Sequence, residues 1–335
     1  VFIQDTSPCF YIYRQEKQEF SYTGIIACTS IDDYFNGVIK IHEHTLTMRE
    51  KKLKEYLDVC DFNAEPVLFS YPDNDIINSL TNNAVEREPV YYFTTTDKVN
   101  HKLWMVSHKE EISTLTEEFR KMPSVYIADG HHRSASSALL GKSRRDADPG
   151  YTGKEFYNFY LGAFFSEKQL RIFNFNRVVK DLNGLSGKMF LERLSEKFDI
   201  ENKGGSSYEA VSLHNFSLYL EGKWYSLTAK KEISKDNDPV GILDVSILLE
   251  HILAPVLNIV DMKTDPRISF VPGVKGMGEL KKQVDSGKMA AAFGLYPVTM
   301  QQLKNIADSG NVMPPKSTWV EPKLRSGLTV YSLSE

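Results

Sequence analysis

Asp129-Gly130-His131-His132-Arg133 is the stretch of this chain whose residue types and spacing most plainly suit chemistry. A glycine lets the backbone approach a ligand closely, an arginine can fork onto phosphate oxygens, and imidazoles can donate hydrogen bonds. If a helix starts at this turn, its first backbone N–H groups are unpaired and sit at the positive end of the helix dipole, which suits a phosphate. The candidate phosphate contacts are therefore Gly130, His131, His132, Arg133 and Ser134. Asp129 could cap the helix, orient a substrate amine or hydroxyl, or hold a metal-bound water, and the histidines could also serve as partly buried hydrogen-bonders. Two of the eight histidines stand side by side next to an arginine, a concentration that packing alone does not explain. A second stretch, His42-Glu43-His44-Thr45, places a carboxylate between two imidazoles.

The elements needed to position these residues can be read from local pattern. Val125-Tyr126-Ile127-Ala128 is a compact buried-strand signal, and Ser134 to Leu140 is a good helix sequence rich in small residues, so the turn joins a strand to a helix. Residues 10 to 14, 24 to 30 and 37 to 42 read as β-rich, and Met48 to Cys60 as a helix carrying Leu53, Tyr56, Leu57 and Cys60 on one side. Strands follow at 67 to 71, 90 to 94 and 102 to 107, and a helix at 112 to 121 ends before Pro123. After a polar stretch come strands at 156 to 165 and 170 to 175, a helix at 186 to 198, and a linker-like segment at 201 to 208. The remainder reads as a hairpin about Glu221-Gly222-Lys223 and helices near 243 to 253, 278 to 285 and 299 to 308. This order predicts an α+β protein with a soft boundary near residue 200, giving domains 1–200 and 201–335.

The tail from Met313 to Ser326 is rich in Pro, Lys and Arg and shows neither helical nor strand periodicity. Lys316-Ser317-Thr318 is similar to the end of a P-loop but has none of its glycines, which excludes a Walker A site. Lys316, Ser317, Thr318, Lys323 and Arg325 are candidate anion contacts from a loop that could close over a nucleotide; the alternative is a Pro-rich strap packed through Trp319. Asp265 and Arg267 read as a structural ion pair.

The chain has 335 residues, 41% hydrophobic and 25% charged, with 17 Tyr and 19 Phe, an ordinary balance for a globular protein with much sheet. Lys and Arg total 40 against 44 for Asp and Glu, and the net charge of -4 offers no general attraction to nucleic acid or anionic membrane. Any anion site must be local, with a charge opposing that of the whole. Cys9, Cys28 and Cys60 lack metal-ligand or redox spacing and are expected to be buried small hydrophobes in a reducing compartment. No apolar run is long enough to span a bilayer and no signal peptide is evident, which predicts a cytoplasmic protein. The chain opens at Val1 without an initiator Met, so it could be a fragment of a longer one.

Ile127-Ala128-Asp129-Gly130-His131-His132-Arg133, followed by Ala135 and Ala138, resembles the Asp-Gly-His-His-Arg motif of free serine kinases in the ParB/sulfiredoxin superfamily, where it cradles nucleotide phosphates. Those kinases carry a His-Glu pair upstream whose glutamate is the base, and His42-Glu43 stands in the matching order here. The resemblance implies a ParB/sulfiredoxin-like mixed-sheet nucleotide-binding domain with a second α+β domain. It implies Glu43 as catalytic base, His132 and Asp129 as further catalytic groups, and His42, Thr45 and Asp129 as substrate contacts. The reaction implied moves a phosphoryl group from ATP or ADP to a hydroxyl of a small molecule, L-serine first, with Mg2+ held mainly by the phosphates and no protein metal site. This agrees with the physics of phosphoryl transfer, which asks for positioning, charge neutralisation and one well-placed carboxylate. Nearly the whole chain also resembles an uncharacterised bacterial and archaeal family, through Asp32-Asp33-Tyr34, Asn176-Arg177-Val178-Val179-Lys180-Asp181 and Pro314-Pro315-Lys316-Ser317-Thr318-Trp319 to Gly327. That resemblance implies that members extend further at the N-terminus than Val1.

Two other classes compete. A metal-dependent hydrolase could gather His42, His44, His131 and His132 around an ion, although adjacent residues do not easily aim both imidazoles at one point. A ParB-like nucleotide switch on DNA would need a basic face that this sequence lacks. Sulfiredoxin chemistry needs a cysteine in the turn, and positions 130 to 133 contain none.

Overall fold

The computed structural model describes residues 3–17, 19–233 and 237–334. The chain divides into two compact units, one formed by the described residues up to Arg171 together with those from Pro322 onward, the other by Ile172–Glu321. The division falls between Arg171 and Ile172, whereas the order of elements in the sequence suggested a soft boundary near residue 200. The last residues return to the first unit instead of completing the second.

The first unit holds strands β1 (Phe10–Lys17), β2 (Phe20–Ser30), β3 (Ile39–Lys40), β4 (Phe62–Asn63), β5 (Val67–Tyr71), β6 (Tyr91–Thr94), β7 (Asn100–Val106), β8 (Val125–Asp129) and β9 (Phe159–Ser166). Its helices are α1 (Ile31–Phe35), α2 (Thr47–Cys60), α3 (Asp75–Val85), α4 (Lys109–Arg120) and α5 (His131–Ala147). Eight strands form a mixed sheet in the order β3-β8-β5-β9-β2-β1-β7-β6, with β3–β8 and β5–β9 parallel and the other pairs antiparallel. β8 is buried along Val125–Ala128, so its continuous apolar run is that of a strand covered on both faces. Ile12, Ile25, Phe69, Trp104, Ile127, Ala138 and Phe164 belong to one buried cluster. Ser134, Ala135, Ser136, Ser137 and Ala138 of α5 are all buried, which is why this helix needs small residues. Gly141 is part of the same fit, since a Cβ there would strike the Tyr157 carbonyl.

The second unit carries β10 (Arg171–Val179), α6 (Gly187–Ser195), β11 (Phe198–Gly204), β12 (Asn215–Leu220), β13 (Lys223–Ala229), α7 (Asp244–Leu248), β14 (Ile268–Pro272), α8 (Gly276–Asp285), β15 (Ala291–Gly294), α9 (Met300–Asp308) and β16 (Thr318–Glu321). β17 (Tyr331–Ser332) pairs with β4 in the first unit. The second unit's sheet runs β11-β13-β12-β15-β10-β14, and β16 also pairs with β10. Val178, Tyr219, Trp224, Leu280 and Ala292 are buried together beneath α8.

Several sequence expectations need correction. The segment expected as a linker at 201 to 208 begins inside β11, an edge strand whose charged residues face outward while its backbone pairs with β13. The tail expected to lack regular structure contains β16. The helix expected at 243 to 253 is α7 followed by a π-helical turn over Leu249–Leu253. The cysteines are not buried: Cys28 is exposed and Cys9 and Cys60 are half-buried, all three free. Among the described residues no helix is long and apolar enough to cross a membrane.

Candidate functional site

β8 delivers the chain to Gly130, whose φ of +103° is a left-handed conformation that side chains disfavour. A Cβ at Gly130 would meet only the movable end of the Arg133 side chain, at 2.8 Å, so it is the backbone conformation that selects glycine. α5 begins immediately afterwards with Gly130 as its N-cap and no side-chain capping bond. The first intrahelical bond runs from the Ser134 N–H to the Gly130 carbonyl at 3.0 Å. The amides of His131, His132 and Arg133 therefore have no partner within the helix and remain at its positive end.

A cavity of about 150 Å³ lies at this turn, with Glu65, Pro66, Asp129, Arg133, Arg325 and Ser326 among its lining residues. Its wall is largely polar, and part of it comes from the last residues of the chain. That segment is held by several bonds. Gln15 donates to the Lys323 carbonyl at 3.0 Å, Ser326 donates to Glu65 at 2.9 Å, and the Gly327 N–H donates to the Ala64 carbonyl at 2.8 Å. Arg133 itself donates to the Pro66 carbonyl at 2.6 Å.

The local charge is not the cationic excess expected from the motif. Lys323 Nζ lies 2.8 Å from Asp129 Oδ2, Arg325 lies 2.8 Å from Asp97, and Arg133 lies 3.9 Å from Glu65. Each basic group at the turn thus has a carboxylate neighbour, which balances the site before any ligand arrives. Any anion reaching this turn would compete with these carboxylates for the same donors.

Glu43 sits on the loop between β3 and α2, with its side chain 54% exposed and Oε2 at 4.0 Å from His131 Nδ1. His42 and His131 are buried, their rings edge to face with centroids 4.4 Å apart. The His42 N–H points to His131 Nε2 at 3.4 Å, and the Leu46 N–H donates to His132 Nε2 at 3.0 Å. Burial pulls His42 down to about 4, opposed by the negative charge of Asp129. Burial also holds His131 well below the usual imidazole range, helped by His42 and His132. His132 is lowered less, by partial burial and Arg49, against the pull of Glu50. All three imidazoles are shifted towards the neutral form at neutral pH.

The remaining sequence candidates are placed differently. Thr45 donates its hydroxyl to Glu50. Ser134 is fully buried, with its hydroxyl 2.7 Å from the Tyr160 hydroxyl, so only its backbone belongs to the turn. Lys316, Ser317 and Thr318 belong to the second unit: Lys316 Nζ lies 5.6 Å from the Phe175 ring, Ser317 donates to the Pro314 carbonyl at 2.7 Å, and Thr318 opens β16. Asp265 and Arg267 form the structural pair expected of them, at 2.8 Å. His42, His44, His131 and His132 do not assemble into a metal cage, since among the described residues no group of three or more His, Cys, Asp or Glu is placed to hold an ion. Sequence reasoning missed Glu65, Pro66 and Gln15. No local pattern marks them, because their role arises from partners far along the chain.

Among solved structures the chain is similar to a free serine kinase in complex with AMP, at 14% identity over 92% of this chain and 91% of that one, with a TM-score of 0.42. It is also similar to SbnI with a C-terminal truncation from Staphylococcus aureus, at 12% identity over 91% and 87% of the two chains and a TM-score of 0.47. A conserved hypothetical protein from Pyrococcus furiosus gives 14% identity, coverage of 92% and 95%, and a TM-score of 0.41. Curated proteins give no match. A family profile described as a protein of unknown function (DUF1015) matches residues 1–246, most of the 335, and the chain belongs to that family.

Proposed function

We propose that the first unit is a ParB/sulfiredoxin-like phosphotransferase unit that moves a phosphoryl group from ATP or ADP to a hydroxyl of a small metabolite, with L-serine as the first candidate. The observation that carries this reading is the uncapped start of α5 opening on a polar cavity, with the Glu43 carboxylate held beside the same turn. At about 150 Å³ the cavity is smaller than the roughly 300–1,000 Å³ of pockets that enclose a drug-sized ligand. It suits the phosphate end of a nucleotide, with the nucleoside lying outside.

In this mechanism the amides of His131, His132 and Arg133 and the Arg133 guanidinium receive the phosphate oxygens. The substrate oxygen bonds to phosphorus as its proton passes to Glu43, and the bond from phosphorus to the leaving phosphate oxygen breaks. Glu43 is exposed enough to meet a substrate hydroxyl and is carried on a loop fixed at both ends, as a general base requires. Asp129 already holds the ammonium of Lys323, so the amine of an amino acid could take the same place. Asp129 and Glu65 offer oxygen donors that fit Mg2+, but no larger carboxylate group stands among the described residues, so phosphate oxygens would supply most of its ligands and the ion would offset charge on the phosphoryl group.

The test is to incubate the protein with Mg2+, ATP or ADP and a panel of amino acids and polyols, reading products by mass spectrometry. A phosphorylated acceptor is expected, O-phosphoserine first. Hydrolysis alone, or no turnover with any acceptor, contradicts the reading.

A further inference from the structure

We propose that His131 and His132 act together as a two-point latch on the backbone of the 42–46 loop, and that this latch positions Glu43 over the Gly130 turn. The role given to Glu43 rests on the phosphotransferase reading, whereas the latch itself rests on hydrogen-bond geometry alone.

Residues 41 to 46 lie between β3 and α2 in neither helix nor strand, so the sheet and helix ladders do not hold them. Leu46 is the N-cap of α2, and a leucine side chain cannot cap a helix. Two adjacent imidazoles in the first turn of α5 instead hold the loop by accepting from its own backbone N–H groups. Successive residues on a helix point roughly 100° apart, so the two rings reach different parts of the loop. His131 Nε2 faces the His42 N–H at 3.4 Å and His132 Nε2 faces the Leu46 N–H at 3.0 Å, at the two ends of the segment carrying Glu43.

A backbone N–H can only donate, so each Nε2 must offer a lone pair. Each ring must then be neutral with its one proton on Nδ1. For His131 that proton faces Glu43 Oε2 at 4.0 Å, within reach after a small side-chain rotation or through one water. The burial of His131 and the lowered proton affinity of both rings agree with this state. The paired histidines of the motif are thereby explained as positioning residues: one ring alone would leave the loop free to swing about a single point.

The experiment is long-range 1H–15N correlation spectroscopy of the histidine side chains in the intact protein at pH 7.5, assigned with the His131→Gln and His132→Gln variants. Both residues are expected as neutral Nδ1–H tautomers. Nε2–H tautomers or imidazolium at either position overturn the latch. Amide hydrogen exchange gives a second reading. His132→Asn, too short to reach, should speed exchange of the Leu46 N–H at least tenfold, while His132→Gln, whose amide oxygen can reach, should largely restore protection; unchanged exchange in His132→Asn overturns the proposal. These outcomes separate from the phosphotransferase test: Nδ1–H tautomers without phosphorylated product keep the latch and remove the kinase reading, and product with Nε2–H tautomers does the reverse.

Discussion

At Gly130 the chain turns with φ of +103° and starts α5 without a side-chain cap, whereas at Lys316 in the second unit it turns with φ of +56° and uses its polar groups internally. Ser317 is buried and bonds to the Pro314 carbonyl, and the Arg177 guanidinium, also fully buried, donates to the carbonyls of Phe175 and Pro315. Burial brings Arg177 down to about 9, and no carboxylate pairs with it among the described residues. Both turns combine basic and hydroxyl residues, and both stood out in the sequence. The difference lies in where the donors point. The first turn keeps three backbone amides outside any helix bond, and the second uses its donors to hold its own backbone. Residue type nominates both turns as candidates, and of the two the first keeps amides outside helix bonds at the edge of a cavity.

The contrast can be broken most severely at the first turn's carboxylate. Glu43→Gln should lower kcat by about 100- to 10,000-fold with nucleotide affinity retained. Normal turnover in that variant would remove Glu43 as the base. In the second unit, Arg177→Ala should lower unfolding stability by about 3 kcal/mol, since it opens a cavity and strips two carbonyls of their donor. A change in urea midpoint too small to resolve would show that the buried arginine does not hold the 314–318 turn.

Proton linkage gives an effect of similar size in the first unit. His42 has its folded pKa depressed to about 4 against an unfolded value near 6.5. Below about 6.5 the unfolded chain takes up a proton that the folded chain refuses, so stability is full above that pH and falls as pH drops towards 4. His42 alone contributes about 3 kcal/mol to this loss, and His131 acts in the same direction. Urea unfolding at pH 7.5 and at pH 4.5 should show the decline, and His42→Asn should flatten it.

Arg133→Ala should weaken nucleotide binding by roughly tenfold to a hundredfold, the range expected for losing a charge-assisted contact, readable by calorimetry. The smallest effect separates the backbone of the turn from its side chains. Ser134→Ala removes the hydroxyl beside Tyr160 and should lower stability by about 1 kcal/mol while leaving nucleotide affinity unchanged.

The strand-turn-helix unit at 125 to 140 was legible as a short apolar run, a glycine and then small residues, and the helix ending at Cys60 as Leu53, Tyr56, Leu57 and Cys60 recurring at helical spacing. The Gly130 turn could be found for the same reason. Gln15 and Lys323, 308 residues apart, carry no such signal, and the wall they help to build appears only once β1 and the last residues lie side by side. β11 was hidden because an edge strand with an outward charged face looks like a linker. The charge balance at the site was hidden too, since Glu65 and Asp97 lie in other parts of the sequence from the bases they neutralise. The histidine pair was visible as a pair, but its partners, two backbone amides, have no sequence identity to read.

The most direct test of a phosphate seat at the start of α5 is to follow the backbone amide signals of Gly130, His131, His132 and Arg133 by 15N NMR as ADP and Mg2+ are added to the intact protein. The account predicts saturable shifts at these amides, larger than at Lys316 and Ser317. Saturable binding that leaves them unmoved, or no binding at millimolar nucleotide, would contradict it.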